Sequence, residues 1–301
     1  MRRRCIRKGR IRASSMRLES ACLSCKGVDM RRGLLHLAAL AACLAAGCGR
    51  EAPKEAVPLR IVSTSAAATH ILLALGAEEE LAAIDSHGSI VPGAERIPVA
   101  GRGSVLSLEE LTRLRVNRAV LWYYQRELAA SLRDRGIAVT TVPPLRLGNY
   151  AELVQRLGEL TGRKREAQRL VGEFQAALPA ASEKTGPKVY WELYGPGRAV
   201  GEESYFGDLL RLAGAENCAA GSAGGGSVSL EAVVARSPEV ILFMEGSGSA
   251  AEIAARPGLA GTPAVKSGRI HPVDRVRVLE GVDPAGAVRY LHELIHRKER
   301  K

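Results

Sequence analysis

The sequence predicts an α/β protein of two Rossmann-like lobes with parallel sheets, joined by a long rigid helix. Three observations carry that expectation. Short apolar runs alternate with amphipathic stretches through residues 58–149 and again through 186–301, the rhythm of strand–helix–strand crossovers that build a parallel sheet. Between them the pattern turns helical: Tyr150, Leu153, Val154 and Leu157, then Ala167, Leu170, Val171, Phe174 and Leu178, recur at three- and four-residue steps. The halves also echo each other. Ser107 opens SLEELTRLRVNRAVLW and Ser229 opens SLEAVVARSPEVILFM, while ILLALGAEEELA from Ile71 matches DLLRLAGAENCA from Asp208 with one inserted residue.

Residues 1–29 precede a second methionine, Met30, and carry nine Lys/Arg against two acidic residues. They read as an upstream extension, set aside before the fold is considered. Cys22 and Cys25 form a single CxxC there, without the second pair or histidine cluster of a metal site. Residues 30–47 read as a signal peptide. Arg31 and Arg32 give its positive start, and Gly33 to Gly47 is a run of 15 residues, apolar but for His36. That is too short to cross a bilayer as an ordinary helix and suits the apolar region of a secretory signal. Leu44-Ala45-Ala46-Gly47-Cys48 resembles the lipobox of bacterial lipoproteins, which implies that Cys48 is lipidated and begins the mature chain. Cys43 closes a second match, Leu40-Ala41-Ala42-Cys43, but more apolar signal follows it, whereas Cys48 opens a polar tether, residues 48–57.

Setting this segment aside changes the electrostatics. The whole chain has 43 Lys+Arg and 32 Asp+Glu, a net of +11. Eleven of the basic and two of the acidic residues lie at or before Cys48, leaving 32 against 30 beyond it. So even a balance offers no footprint for nucleic acid. Five of the six cysteines also lie at or before Cys48. Cys218 is left alone, and the fold has to rest on its core instead of a disulfide framework.

The first lobe, 58–149, opens with a strand from Leu59 to Ser63 and an apolar-faced helix from Ala67 to Leu75, closed by Gly76. A strand over Leu81 to Asp85, a helix over Ser107 to Leu114 and a strand over Ala119 to Tyr123 follow. A helix over Glu127 to Arg135, stopped by Gly136, leads to the strand Ile137 to Val142, which ends at Pro143-Pro144. Residues 150–185 form the helical linker. Gly158 and Gly162 divide it near Leu160 and Arg163, and Pro179 ends or kinks its second helix. The second lobe, 186–301, holds strands over Lys188 to Leu193, Val240 to Met244 and Arg269 to Val273. Its helices are Phe206 to Ala213, Leu230 to Arg236 and Pro284 to about His296.

Several stretches then carry a family resemblance. VPLRIVSTSAAATHILLALGAEEELAAID, PVAGRGSVLSLEELTRLRVNRAVL, SLEAVVARSPEVILF and RPGLAGTPAVKSGRIHPVD, in that order, resemble the helical-backbone (class III) solute-binding proteins of ABC importers for cobalamin, iron–siderophore and haem. The resemblance implies a binding protein and not an enzyme, without a cofactor of its own. It implies two lobes linked by one rigid helix at about residues 163–183, with the ligand between lobes that move little. A monomer is expected, held by its lipid at the periplasmic or extracytoplasmic face of a membrane and delivering its ligand to an ABC permease dimer with its ATPase subunits. The family's docking glutamates match Glu109 and Glu231, the acid of each Ser-Leu-Glu. Serine followed by an acid is also ordinary capping chemistry at a helix start. Departures from the family are Val116-Asn117 where Pro-Asp is common, His70 where many members have glutamate, and Pro179 within the linker.

Ligands of open α/β sheets sit beyond the carboxyl ends of strands. That rule selects Trp122, Tyr123 and Tyr124, with Trp122 and Tyr124 favoured for the cleft. It also selects Tyr194, Tyr205, His87, Arg102 and Arg275, and Trp191, whose alternating strand suits core or cleft alike. Aromatics with a polar edge suit a large, flat, partly polar ligand such as a corrinoid, haem or ferric siderophore. His87 has the chemistry to ligate its metal, and the arginines to pair with acidic groups.

Two rivals come from other classes. His292-Glu293-Leu294-Ile295-His296 is a literal HExxH, the zinc-peptidase pattern, but only five residues follow it, too few for a downstream third ligand. A receptor for free zinc or manganese would draw on His70, His87, His271, His292 and His296.

Overall fold

A computed structural model describes residues 57–179, 186–219 and 227–297. The extension, the signal peptide, Cys48, nearly all of the tether and the end of the linker lie outside the described residues. In the first half, β1 (Ile61–Ser63), β2 (Leu81–Asp85), β3 (Val99–Arg102), β4 (Val105–Leu106), β5 (Arg118–Trp122) and β6 (Ala138–Val142) form one sheet in the order β4-β3-β2-β1-β5-β6. Its pairings are parallel except β3 with β4. In the second half, β7 (Lys188–Glu192), β8 (Glu216–Asn217), β9 (Val240–Met244) and β10 (Ile270–Val273) form a parallel sheet in the order β10-β9-β7-β8. One plan is used twice: β2-β1-β5-β6 corresponds to β8-β7-β9-β10. Each sheet is doubly wound, reversing its direction of growth between β1 and β5 and between β7 and β9.

The helices are α1 (Ala66–Ala74), α2 (Leu108–Arg113), α3 (Arg126–Asp134), α4 (Tyr150–Leu160), α5 (Lys164–Ala177), α6 (Tyr205–Leu212), α7 (Leu230–Ala235), α8 (Ala250–Ala254), α9 (Pro263–Lys266) and α10 (Pro284–His296). The repeat extends to single hydrogen bonds. Ser107 caps α2 and Ser229 caps α7, each hydroxyl accepting from the amide three residues on at 3.2 Å. Eight residues after each serine, Arg115 and Ser237 turn the chain at φ 54° and 51°. Two residues further, Asn117 Oδ1 accepts from Arg60 N at 3.0 Å and Glu239 Oε2 from Lys188 N at 2.9 Å. Asn117 thus tethers the entry to β1, as Glu239 does for β7. Gly76 and Gly214 end α1 and α6 at φ 75° and 76°, a backbone region glycine enters without steric cost.

Alternate strand residues feed different cores. Val62, Ala119 and Leu121 pack under α2 and α3, and Tyr190, Ile241 and Phe243 pack on the outer side of the second sheet. Ile61, Val120, Val189, Trp191 and Leu242 enter a third core, which runs from α1 and α4 through α5 to α6 and α10. This core belongs to both halves. Within it α4 packs on α1 and α5, and α10 on α5 and α6.

The spine is shorter than the expected 163–183. Leu178 leaves helical conformation at φ −70° and ψ 130°, as the ring of the following proline demands. Its 14 residues, Lys164–Ala177, reach about 21 Å at 1.5 Å per residue. Arg163 pairs with Glu80 at 2.8 Å at the entry to the spine, and Ala167, Val171 and Phe174 bury its face.

A polar clamp also joins the halves. Arg146 meets Asp208 of α6 through two hydrogen bonds of 2.8 Å, and Leu147 N donates to the same carboxylate at 3.0 Å. Burial alone would raise the Asp208 carboxyl, but Arg146 and the Leu147 amide hold it below the usual range. Its stabilising contribution is therefore present above the unfolded value of 3.8 and fades as pH falls through the lower folded value. Arg146 is partly exposed, which limits the effect. Asp208→Asn is expected to cost about 1–2 kcal/mol at pH 7 in urea unfolding, with a smaller deficit near pH 3. A deficit independent of pH would argue against the clamp.

Candidate ligand-binding cleft

The two reversal points face one crevice. Thr64 follows β1, Trp122 to Tyr124 close β5, Leu193 and Tyr194 follow β7, and Met244 to Ser247 close β9; all border a cavity of about 1050 Å³. Ligands of doubly wound sheets occupy this kind of position, beyond the strand ends where the strand order reverses.

Local bonds shape the rim. Gln125, 3% exposed, accepts from Thr64 Oγ1 and from Trp122 N at 2.9 Å, so β1 and β5 present their ends together. Tyr124 stacks on Trp122 with centroids 6.4 Å apart at 11°, and Tyr123 meets Tyr124 edge-on at 5.4 Å. Tyr123, Tyr124 and Tyr194 remain 46%, 60% and 69% exposed. Large rings held in solvent beside a cavity mark a surface shaped for an apolar or planar partner. Across the crevice, Ser204 caps α6 by accepting from Gly207 N at 3.1 Å, which brings Tyr205 and Phe206 to the wall.

Of the nine residues expected at the ligand, Trp122, Tyr123, Tyr124, Tyr194, Tyr205, His87 and Arg275 border the cavity. Trp191 is fully buried in the shared core, edge-on beneath Phe206 at 5.2 Å, because the alternation of β7 turns it inward. Arg102 is exposed at the end of β3, and the next two residues, Gly103 and Ser104, reach the wall in its place. His70 lies off the cavity on α1, its imidazole pulled below the usual range by burial, with Asp283 opposing.

The wall also holds acids that the strand-end rule did not select: Asp85, Glu203, Glu245 and Glu280. Asp85 is buried at the end of β2, accepting from Gly88 N at 2.9 Å and Gly103 N at 3.2 Å. Burial raises its carboxyl, while those amides and His87 pull it back. Glu280 follows Val278 and Leu279 on the wall, and burial pushes it up to about 7. Tyr124 lies within reach of both acids, and its hydroxyl is raised by partial burial and then by Asp85 and Glu280. Met244 and Glu245 were legible in principle, since they close β9 as Trp122 to Tyr124 close β5. Glu280 sits in an irregular segment where no periodicity points to a wall.

The HELIH histidines serve a helix end. His292 Nδ1 and His296 Nε2 both meet Ala213 O, at 3.0 and 3.1 Å, just past the last turn of α6. Among the described residues, no group of three or more His, Cys, Asp or Glu side chains is placed to hold a metal ion. Glu109 and Glu231 are exposed in the first turns of α2 and α7. Glu110, the neighbour of Glu109, is committed to Arg113 through two hydrogen bonds. The Glu231 carboxyl is held below its usual range by its own amide and the Ser229 hydroxyl.

A family model described as periplasmic binding protein matches residues 61–275. The chain belongs to that family. It is similar to an uncharacterised ABC transporter substrate-binding lipoprotein of Bacillus subtilis, 23% identical over 259 residues, covering 75% of this chain and 78% of the relative. A vitamin B12-binding protein of Photorhabdus laumondii is 26% identical over 200 residues, 64% of this chain and 72% of that one. Among solved structures, the periplasmic heme-binding protein HutB of Vibrio cholerae superposes with a TM-score of 0.69 at 25% identity, covering 80% of this chain and 100% of its own. This periplasmic binding protein is thus a solute-binding component of the ABC importer type and not an enzyme. No helix among its described residues is long and apolar enough to cross a membrane.

The cleft makes a pH prediction. Glu280 titrates at about 7 in the folded protein against 4.5 unfolded. Its contribution to stability is present below 4.5 and is lost as pH rises through about 7. Glu280→Gln should leave the Tm almost unchanged at pH 5 and raise it by about 4 °C at pH 8, measured by thermal unfolding without ligand. An equal shift at both pH values would contradict this account.

Proposed function

We propose that the protein captures a corrinoid such as cobalamin, or an iron complex such as haem or a ferric siderophore, between its lobes and delivers it to an ABC permease dimer driven by ATPase subunits. The observation that carries this reading is the aromatic-edged cavity of about 1050 Å³ at the paired reversal points. That volume is at the upper end for small-molecule sites, as a large metal complex requires. Trp122 and Tyr124 offer one flat stack, Tyr194 and Phe206 border the same cavity, and His87, exposed on its wall near Asp85, has the chemistry to ligate a metal centre. The relatives named for vitamin B12 and heme support the same size class.

Delivery rests on the repeat. Glu109 and Glu231 occupy equivalent sites in the two halves, and both carboxylates are exposed. A two-subunit permease offers two equivalent places for them. The clamp and the shared core favour lobes that move little, and a lipid on Cys48 would hold a monomer at the periplasmic or extracytoplasmic face of a membrane.

Titration of the purified protein with cyanocobalamin, haemin and ferric siderophores is expected to quench Trp122 saturably with one class. Tyr124→Ala should weaken that ligand about tenfold with an unchanged Tm. Absence of binding by every class would sink ligand capture. Replacing Glu109 and Glu231 together with Arg is expected to leave binding intact while uptake through the cognate importer falls at least about tenfold. Native uptake by that variant would remove the docking assignment.

A further inference from the structure

The charges around the cleft are out of balance. Asp85, Glu203, Glu245 and Glu280 reach it from four separate segments, against Arg275 as the permanent cation among its lining residues. The positive poles of α1 and α6, which also begin at this wall, are already capped by Ser65 and Ser204. Asp85 is held by two backbone amides. Glu280 differs from it, making no hydrogen bond or ion pair among the described residues, while its charge acts on the hydroxyls of Tyr124 and Tyr205. Once ionised, as it is above about pH 7, an unpaired carboxyl on a partly apolar wall repels a nearby like charge more strongly than it would in water, and a donor or cation on the ligand would satisfy it. Low-dielectric walls that carry one sign of charge focus the field over the whole crevice.

Resting on the ligand-capture reading above, we infer that the cleft selects metal complexes with a neutral or cationic periphery, turns away those edged with carboxylates, and uses Glu280 as the specificity-determining side chain. Ring size and shape would then set which complexes enter, and peripheral charge which of them stay.

Matched probes separate charge from shape. The purified protein is titrated with haemin against haemin dimethyl ester, and with cyanocobalamin against the carboxylates made by hydrolysing its peripheral amides. The uncharged-edge member of each pair that binds is expected to bind at least about tenfold tighter. That gap should narrow at high salt and in the Glu280→Gln variant, and less in Glu245→Gln; an undiminished gap in Glu280→Gln overturns the role of Glu280. Equal or tighter binding of the carboxylate member by the native protein overturns the inference and leaves ligand capture standing. Binding of no member of either pair overturns the inference, and ligand capture falls with it only if no ferric siderophore binds either.

Discussion

The Asp208 carboxylate gathers three hydrogen bonds from Arg146 and Leu147, and through it the second half is fixed to the first. The residues on either side of this bond are cleft residues: Pro144 and Leu145 precede Arg146, and Tyr205 and Phe206 precede Asp208. The clamp therefore sets the spacing of the walls where the ligand would sit. The apolar core from α1 to α10 does the same work over a larger area, without direction. Directional bonds at the crevice and undirected burial behind it divide the task of holding two sheets in one relation.

Much of this was legible in the sequence because parallel sheets write a plain signature. Strands covered on both faces, such as Val240–Met244, are continuous apolar runs. Crossover helices show a 3.6-residue period, and Gly76 marks its helix end in advance. The duplication was also readable, since SLE recurs with the same downstream spacing. What escaped was whatever depends on a single side chain's direction. Trp191 lies in a correctly placed strand, but whether an aromatic in a doubly covered strand faces core or cleft is set by packing that alternation alone does not reveal. Arg102 was one residue off, because the β3–β4 turn presents Gly103 and Ser104. The two-residue β8 is too short to carry any period.

The cleft combines two properties seldom placed together. Its rim keeps three tyrosines in solvent, and its wall keeps a carboxyl, pushed up to about 7, that makes no hydrogen bond or ion pair among the described residues. Both are costs to the unliganded fold, and both are features a bound planar complex would relieve: stacking removes the rings from water, and a donor at the edge of the ligand satisfies the acid. The far side of the second sheet shows the alternative. There Oε2 of the buried Glu192 is met by Tyr190 at 2.9 Å and Arg256 at 2.6 Å, so the protein itself supplies the charge partner.

The shared core has a consequence for recognition by the importer. The described helices from α1 to α10 share one core, so in the ligand-capture reading proposed above the outline of the carrier would change little with cargo aboard. A docking partner that must tell a full carrier from an empty one would then have to sense the cargo's own protruding edge, framed by Tyr123, Tyr124 and Tyr194, instead of a change in the carrier's posture.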